Sequence, residues 1–162
     1  MQGGLAGDLL RTMKKYGVTS DQINLEITES ADSQTQNIIA ENLTSLLNAG
    51  ITFSLDDFGT GYSNMQRMAS LPLKIVKLDK TFANFDTNPR LMIVLQNTVK
   101  MIKDMDMEIV VEGVETQELV DRFTNLKCDY IQGYFYSRPV PKDKFIEFIE
   151  QYESDRKVYM MA

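Results

Sequence analysis

The chain has 162 residues, of which 43% are hydrophobic and 25% charged, values typical of one globular domain with a buried core. The sequence contains no histidine, which excludes serine triads with a histidine base, histidine proton shuttles and zincin-type metal sites. Any bound metal must therefore have oxygen ligands, which favours magnesium, manganese or calcium. The net charge of −6 has the wrong sign for general binding to nucleic-acid phosphates, so no DNA or RNA partner is expected.

Cysteine content and hydropathy bear on the cellular compartment. The single cysteine, Cys128, excludes an internal disulfide and fits a reducing environment. The longest aliphatic run, Leu91 to Leu95, is far shorter than the roughly 20 residues that span a bilayer, and no secretion signal opens the chain. These features predict a cytoplasmic location, with any membrane anchor of a longer parent protein lying upstream of this chain.

Hydrophobic periodicity predicts alternating helices and strands. Apolar residues at helical spacing predict a first helix that ends at Gly17 and a second helix, over residues 38–47, that ends at Gly50. Asn88 and Pro89 supply an N-cap and a first-turn proline for a long later helix. The predicted strands are residues 23–28, 51–55, 75–78 and 107–111, with a fifth beginning at Tyr130.

The remaining helices complete a regular pattern. A short helical stretch ends near Pro72, Thr116 caps another helix, and Pro141 opens the last one. Strand–helix units of roughly 20 to 35 residues indicate parallel βαβ construction. Two architectures fit this pattern, an open doubly wound sheet or part of a (β/α)8 barrel. In both, the residues that carry chemistry collect at the carboxyl ends of the strands.

Acidic residues stand at the ends of four consecutive predicted strands. Carboxylates crowded on one rim repel each other and are costly to desolvate, unless cations such as two magnesium or manganese ions neutralise them. The seven acids are Glu26, Glu29, Asp56, Asp57, Asp79, Glu112 and Glu115. Without them, the 16 remaining acidic residues would balance the 17 basic ones, so this rim accounts for the negative excess.

Structural roles compete with chemical roles for some of these residues. Glu29 and Glu115 precede helices, where capping or loop anchoring suits them as well as chemistry does. The adjacent Asp56 and Asp57 leave an apolar strand and are poor turn formers, which favours a metal role. Lys77 lies in an otherwise apolar strand and needs an acidic partner, either in the acid cluster or in a plain structural ion pair.

Five short motifs occur in order along the chain. They are Leu25-Glu-Ile-Thr-Glu-Ser30, Asp56-Asp-Phe-Gly-Thr-Gly-Tyr-Ser63, Lys77-Leu-Asp79, Glu112-Gly-Val-Glu-Thr116 and Gln132-Gly-Tyr-Phe135. In order and spacing they are similar to the later part of the EAL domain, the bacterial cyclic di-GMP phosphodiesterase family. The resemblance implies a TIM-like (β/α) barrel that hydrolyses cyclic di-GMP to linear pGpG with two Mg²⁺ or Mn²⁺ ions.

The resemblance also implies residue roles. Glu26 and Asp56 resemble ligands of a first metal, with Asp56 bridging to a second metal that Asp57 holds. Lys77 resembles the residue that orients and stabilises the attacking water or hydroxide. Glu112 resembles a glutamate that serves as general base or belongs to the coordination shell of the second metal.

A further set resembles residues that bind substrate or anchor a loop. Glu29 looks like the anchor of the loop Phe58–Ser63, which couples the site to dimer contacts in relatives, and Gln132 resembles a residue near metal and substrate. The glycines of this loop are weak indicators of a phosphate cradle, since a mobile loop or tight turn explains them equally well. The full set is Glu29, Asp79, Glu115, Gln132, Gly59, Thr60 and Gly61.

The sequence departs from the family pattern in one large respect. The Glu-Ala-Leu motif that names the family, and an asparagine ligand that follows it in relatives, are absent from this chain. Five strands are predicted where a barrel has eight. We therefore expect residues 1–162 to form a single partial EAL domain, from the helix before the fourth barrel strand through the C-terminal helix. We expect the chain alone to be a weak or inactive enzyme.

Several functional classes remain open from the sequence. The first is a metal-dependent phosphodiesterase domain of a longer protein with further domains. The second is a degenerate EAL domain that binds cyclic di-GMP or a protein partner without turnover. An acid-rich barrel enzyme of the enolase type is a third alternative. An incomplete barrel would leave two sheet edges open, which predicts a homodimer or edge-paired oligomer.

Overall fold

The structure, a computed structural model, describes residues 4–28, 42–60 and 64–160. Within these ranges the helices alternate with the strands, and a 3-10 helix, Lys80–Thr87, follows the third strand. The strands are β1 (Asn24–Thr28), β2 (Thr52–Phe58), β3 (Ile75–Leu78), β4 (Glu108–Val111) and β5 (Tyr130–Ile131). The helices are α1 (Leu5–Tyr16), α2 (described over residues 42–48), α3 (Asn64–Ser70), α4 (Pro89–Asp104), α5 (Gln117–Asn125) and α6 (Lys142–Met160).

The helix ends confirm the signals in the sequence. Gly17 ends α1 in the left-handed conformation, with φ of 67°, which glycine adopts without steric cost. The Asn88 side chain accepts a hydrogen bond from the Arg90 N–H at the start of α4. The Thr116 side chain accepts from the Leu119 N–H at the start of α5. Each cap satisfies a backbone donor that the helix itself leaves without a partner.

The topology decides between the two predicted architectures. The five strands pair in chain order, β1-β2-β3-β4-β5, and every pair is parallel. Right-handed crossovers that always step in the same direction place all the connecting helices on one face. A doubly wound sheet instead reverses direction and has helices on both faces. The described sheet is therefore an incomplete TIM-like (β/α) barrel of five parallel strands with flanking helices.

The hydrophobic core lies between the sheet and its helices. In β3 and β4 buried residues alternate with half-buried ones, so that Val76, Leu78, Ile109 and Val111 are fully buried on the helix side. Helix side chains such as Phe123 fill the same layer. The opposite face, which would line a barrel, is only partly covered within the described residues. This alternation leaves Lys77 and its neighbours on the half-covered face.

The structure changes one strand boundary that matters for the site. The predicted second strand covered residues 51–55, whereas β2 runs through Asp56 and Asp57 to Phe58. Leu55 pairs with Val76 and Phe58 pairs with Leu78. Asp56 and Asp57 of β2 therefore stand opposite the single residue Lys77 of β3, which is the arrangement of a β-bulge. No helix in the described part of the chain combines the length and hydropathy required to cross a membrane.

Candidate functional site

A lysine on β3 holds together acidic residues from three neighbouring strands. Lys77 Nζ lies 2.8 Å from Glu26 Oε1 on β1, 2.9 Å from Asp56 Oδ1 on β2 and 2.8 Å from Glu112 Oε1 just after β4. The Lys77 side chain is 13% exposed, Asp56 18% and Glu112 21%. Parallel neighbours bring their carboxyl ends to one edge, which explains why residues so far apart in the chain meet.

The protonation state of Lys77 follows from this environment. Burial by itself lowers the pKa of Lys77, but contacts with the surrounding carboxylates, above all Glu112, outweigh burial and raise it above its ordinary value. Lys77 therefore remains a cation at neutral pH. It cannot serve as a general base, and it can stabilise an anionic nucleophile or phosphate oxygen.

The two adjacent aspartates face the same site because the backbone leaves the regular strand geometry. Successive side chains of a strand point to opposite faces of the sheet, so Asp56 and Asp57 would normally diverge. Asp57 has a φ of 57°, in the left-handed region that aspartate tolerates better than most residues. Together with the register shift in β2, this conformation breaks the alternation and lets both carboxylates converge.

Three of the acids form a group suited to a divalent cation. One carboxylate oxygen each from Asp56, Asp57 and Glu112 lie within 4.8 Å of one another. Asp56 Oδ1 is buried and, despite its ion pair with Lys77, makes no hydrogen bond of proper geometry among the described residues. These three acids and Glu26 carry four negative charges against the one positive charge of Lys77. Such an oxygen-rich, under-neutralised set fits Mg²⁺, Mn²⁺ or Ca²⁺.

The residues around this group hold the ends of β2 and β3 in place. Asp79 is 9% exposed, and its Oδ1 accepts a hydrogen bond of 2.9 Å from the Thr81 N–H. Thr60 donates from its hydroxyl and from its N–H to the Asp57 carbonyl oxygen, at 3.0 Å and 3.3 Å. Gly59 has a φ of 108°. Asp79, Gly59 and Thr60 thus shape the backbone beside the acids.

A cavity of about 280 Å³ opens next to Glu112. Glu115 and Gln132, both singled out from the sequence, line it, which places them beside the acid group. Sequence reasoning missed Lys80 and Tyr134 as lining residues, although Tyr134 lies inside the Gln132–Phe135 motif. The complete lining is Lys80, Glu112, Gly113, Glu115, Gln132, Gly133 and Tyr134. The predicted roles of Glu29 and Gly61 concern positions outside the described residues.

The match to a known family covers most of the chain. The family model described as the EAL domain matches residues 1–139. The chain therefore belongs to the EAL domain family, as the five motifs indicated.

Two relatives illustrate the extent of the similarity. The chain is 35% identical over 133 residues to the oxygen sensor protein DosP of Escherichia coli, with 82% of this chain and 17% of DosP covered. It is 32% identical over 145 residues to the cyclic di-GMP phosphodiesterase RocR of Pseudomonas aeruginosa, with 89% of this chain and 37% of RocR covered.

A solved structure extends the comparison to a ligand complex. The manganese and cyclic di-GMP complex of Klebsiella pneumoniae BlrP1 superposes with a TM-score of 0.74 at 26% identity, covering 82% of this chain and 34% of that one. The chain thus spans less than half the length of DosP, RocR and the BlrP1 chain.

Proposed function

We propose that this chain forms most of the active site of a cyclic di-GMP phosphodiesterase domain, which cleaves one phosphodiester bond to give linear pGpG. The observation that carries the proposal is that Glu26, Asp56 and Glu112 surround Lys77, and that Asp57 lies beside Asp56 and Glu112. RocR is named a cyclic di-GMP phosphodiesterase, and the BlrP1 structure is a complex with manganese and cyclic di-GMP. This chain is similar in sequence to RocR and in fold and sequence to BlrP1.

Two divalent cations, Mg²⁺ or Mn²⁺, would occupy the acid group. Glu26 and Asp56 would hold the first ion, Asp56 would bridge, and Asp57 would hold the second. The buried Asp56 Oδ1 and the convergence of the two aspartates support this allocation. When bound, such ions stabilise negative charge on phosphate oxygens and make hydroxide available near neutral pH.

The chain's own residues would position the reacting groups. The Lys77 ammonium, kept protonated by its acidic neighbours, would orient the attacking water and stabilise the negative charge that develops on it. Glu112, which accepts from Lys77 at 2.8 Å, would accept the proton of that water as general base. Glu115 and Gln132, in the adjoining cavity, would contact the nucleotide or anchor the loops around it.

The loop after β2 would complete the substrate site. Thr60 ties this loop to the Asp57 carbonyl, and Asp79 fixes the start of the following 3-10 helix. The proposed roles of Glu29 as loop anchor and of Gly61 as part of the loop stay predictions.

An activity assay on two forms of the protein tests this function. We expect the 162-residue chain alone to hydrolyse cyclic di-GMP slowly, because the Glu-Ala-Leu glutamate and the asparagine that help to hold the first ion in relatives are not in it. Loose positioning by about 1 Å can cost on the order of 100-fold in rate. Fusion to the N-terminal third of a related EAL domain should restore Mn²⁺-dependent release of pGpG. Chromatography measures this release.

Variants of the fused protein separate catalysis from binding. Glu112→Gln and Lys77→Ala should each lower kcat by more than they weaken cyclic di-GMP binding, whereas Lys100→Ala, an exposed lysine on α4, should change neither. Tight binding of cyclic di-GMP without cleavage in either Mg²⁺ or Mn²⁺ would overturn the enzymatic function. That result would instead support a non-catalytic binding module.

The proposed self-association follows from the two ends of the sheet. Among the described residues β1 pairs with β2 alone and β5 with β4 alone, so each outer strand has backbone groups available to another strand. We expect the isolated chain to form a homodimer or edge-paired oligomer. We also expect further domains of a longer protein to regulate the activity of this domain. A strictly monomeric mass by light scattering at high concentration would contradict the pairing.

A further inference from the structure

The aromatic ring of Phe82 packs directly on the backbone that follows the two aspartates. Phe82 lies in the 3-10 helix after β3 and is 4% exposed. Its ring stacks on that of Phe58, with centroids 6.5 Å apart and planes inclined by 17°. A Cβ atom on Gly59 would come within 2.3 Å of the Phe82 ring. The ring thus occupies the space beside Gly59 that a side chain would need.

Backbone hydrogen bonds join the same two segments. The Asp79 N–H donates to the Phe58 carbonyl at 3.2 Å, and the Phe82 N–H donates to the Asp79 carbonyl at 3.0 Å. Phe58 stands in the chain between Asp57 and Gly59, whose φ angles are 57° and 108°. The Phe82 ring and the hydrogen bond from the Asp79 N–H both hold Phe58 in place. A non-glycine residue with positive φ is disfavoured and persists where surrounding contacts impose it.

We propose that Phe82 is a positioning residue for the metal site, an inference that rests on the function proposed above. Its ring keeps Phe58 and Gly59 in place and thereby holds Asp57 in the left-handed conformation. Without the ring, Asp57 relaxes toward ordinary strand geometry, in which its carboxylate turns to the face opposite that of Asp56. The divalent ion then loses a ligand that no other described residue supplies at that position.

A matched pair of core substitutions tests this role. Phe82→Leu and Phe123→Leu both truncate a buried phenylalanine, but Phe123 is fully buried on α5 in the helix layer. We expect Phe82→Leu to weaken Mn²⁺ binding, measured by calorimetry or Mn²⁺ spin resonance, by about tenfold, as is typical for residues that orient a metal ligand. Phe123→Leu should change the affinity by less than about twofold, even if it lowers the melting temperature as much.

A second readout examines Asp57 without metal. The NMR coupling constants and chemical shifts of Asp57 report its φ, and they should change in Phe82→Leu and remain unchanged in Phe123→Leu. Phe82→Met, of similar volume, replaces Phe82→Leu in both measurements if the latter does not fold. Unchanged Asp57 signals in the Phe82 variant overturn the positioning role. Absence of Mn²⁺ binding in the unmodified chain counts against the proposed function instead, while the Asp57 signals still decide the role of Phe82.

Discussion

Replacement of Lys77 by methionine tests the electrostatic balance of the site most directly. Methionine keeps much of the aliphatic stem and removes the charge that faces three carboxylates at 2.8 to 2.9 Å. Loss of one partner of a fully buried ion pair costs roughly 3–5 kcal/mol. The Glu26 side chain is 49% exposed, so solvent screening reduces this cost, and we expect a loss of about 2 kcal/mol.

The assay is urea and thermal unfolding at neutral pH and low ionic strength. For a protein of this size, a loss of about 2 kcal/mol lowers the melting temperature by roughly 4–8 °C. Added Mn²⁺ should recover more stability in Lys77→Met than in the unmodified chain, because four carboxylates then face no lysine and attract the ion more strongly.

Lys100→Met is the matched control for this measurement. Lys100 pairs with Asp104 on the surface of α4, where the two side chains are 70% and 63% exposed. Such an exposed pair contributes on the order of 0.5 kcal/mol or less, and Mn²⁺ should not rescue its loss. If Lys77→Met were as stable as the unmodified chain, or if both variants lost the same stability, the central role of Lys77 would be refuted.

Three further predictions concern metal binding, a thiol and a glycine. Millimolar Mg²⁺ or Mn²⁺ should raise the melting temperature. Asp56→Asn should abolish this rise, whereas Asp106→Asn should retain it, because Asp106 lies in a turn with φ of 59°. Equal responses of the two variants would argue against a localised site. Burial raises the pKa of the Cys128 thiol to about 11. At pH 8, iodoacetamide should therefore alkylate Cys128 on the order of 100-fold more slowly than free cysteine. Similar alkylation rates would contradict the raised pKa. Gly133→Ala should cost about 1–3 kcal/mol in urea unfolding, because its Cβ would lie 1.9 Å from the Val114 carbonyl oxygen; full stability would disprove the clash.

Most of the local structure was predictable from the sequence. The caps at Asn88 and Thr116 and the glycine end at Gly17 depend on neighbouring residues only, and the structure confirms them. The strand positions agree because apolar, β-branched segments bounded by turn residues leave few alternatives. The family membership also followed from short motifs whose order survives in the chain.

The choice of architecture required the tertiary structure. Strand–helix alternation alone is compatible with a doubly wound sheet and with a barrel, since both use the same βαβ unit. The order β1-β2-β3-β4-β5, with all pairs parallel, depends on which strands meet. That property depends on long-range pairing, which local periodicity does not encode.

The candidate site shows the same division. The sequence by itself predicted acids at the ends of four strands and an acidic partner for Lys77, although the structure places Glu26 inside β1 and Asp56 and Asp57 inside β2. Only the tertiary structure decided that Lys77 contacts three of those acids and that Asp57 leaves the strand alternation through a positive φ. The physical reason is that a bulge and a left-handed aspartate are stable only where packing from other segments, here the Phe82 ring beside Gly59, holds them in place.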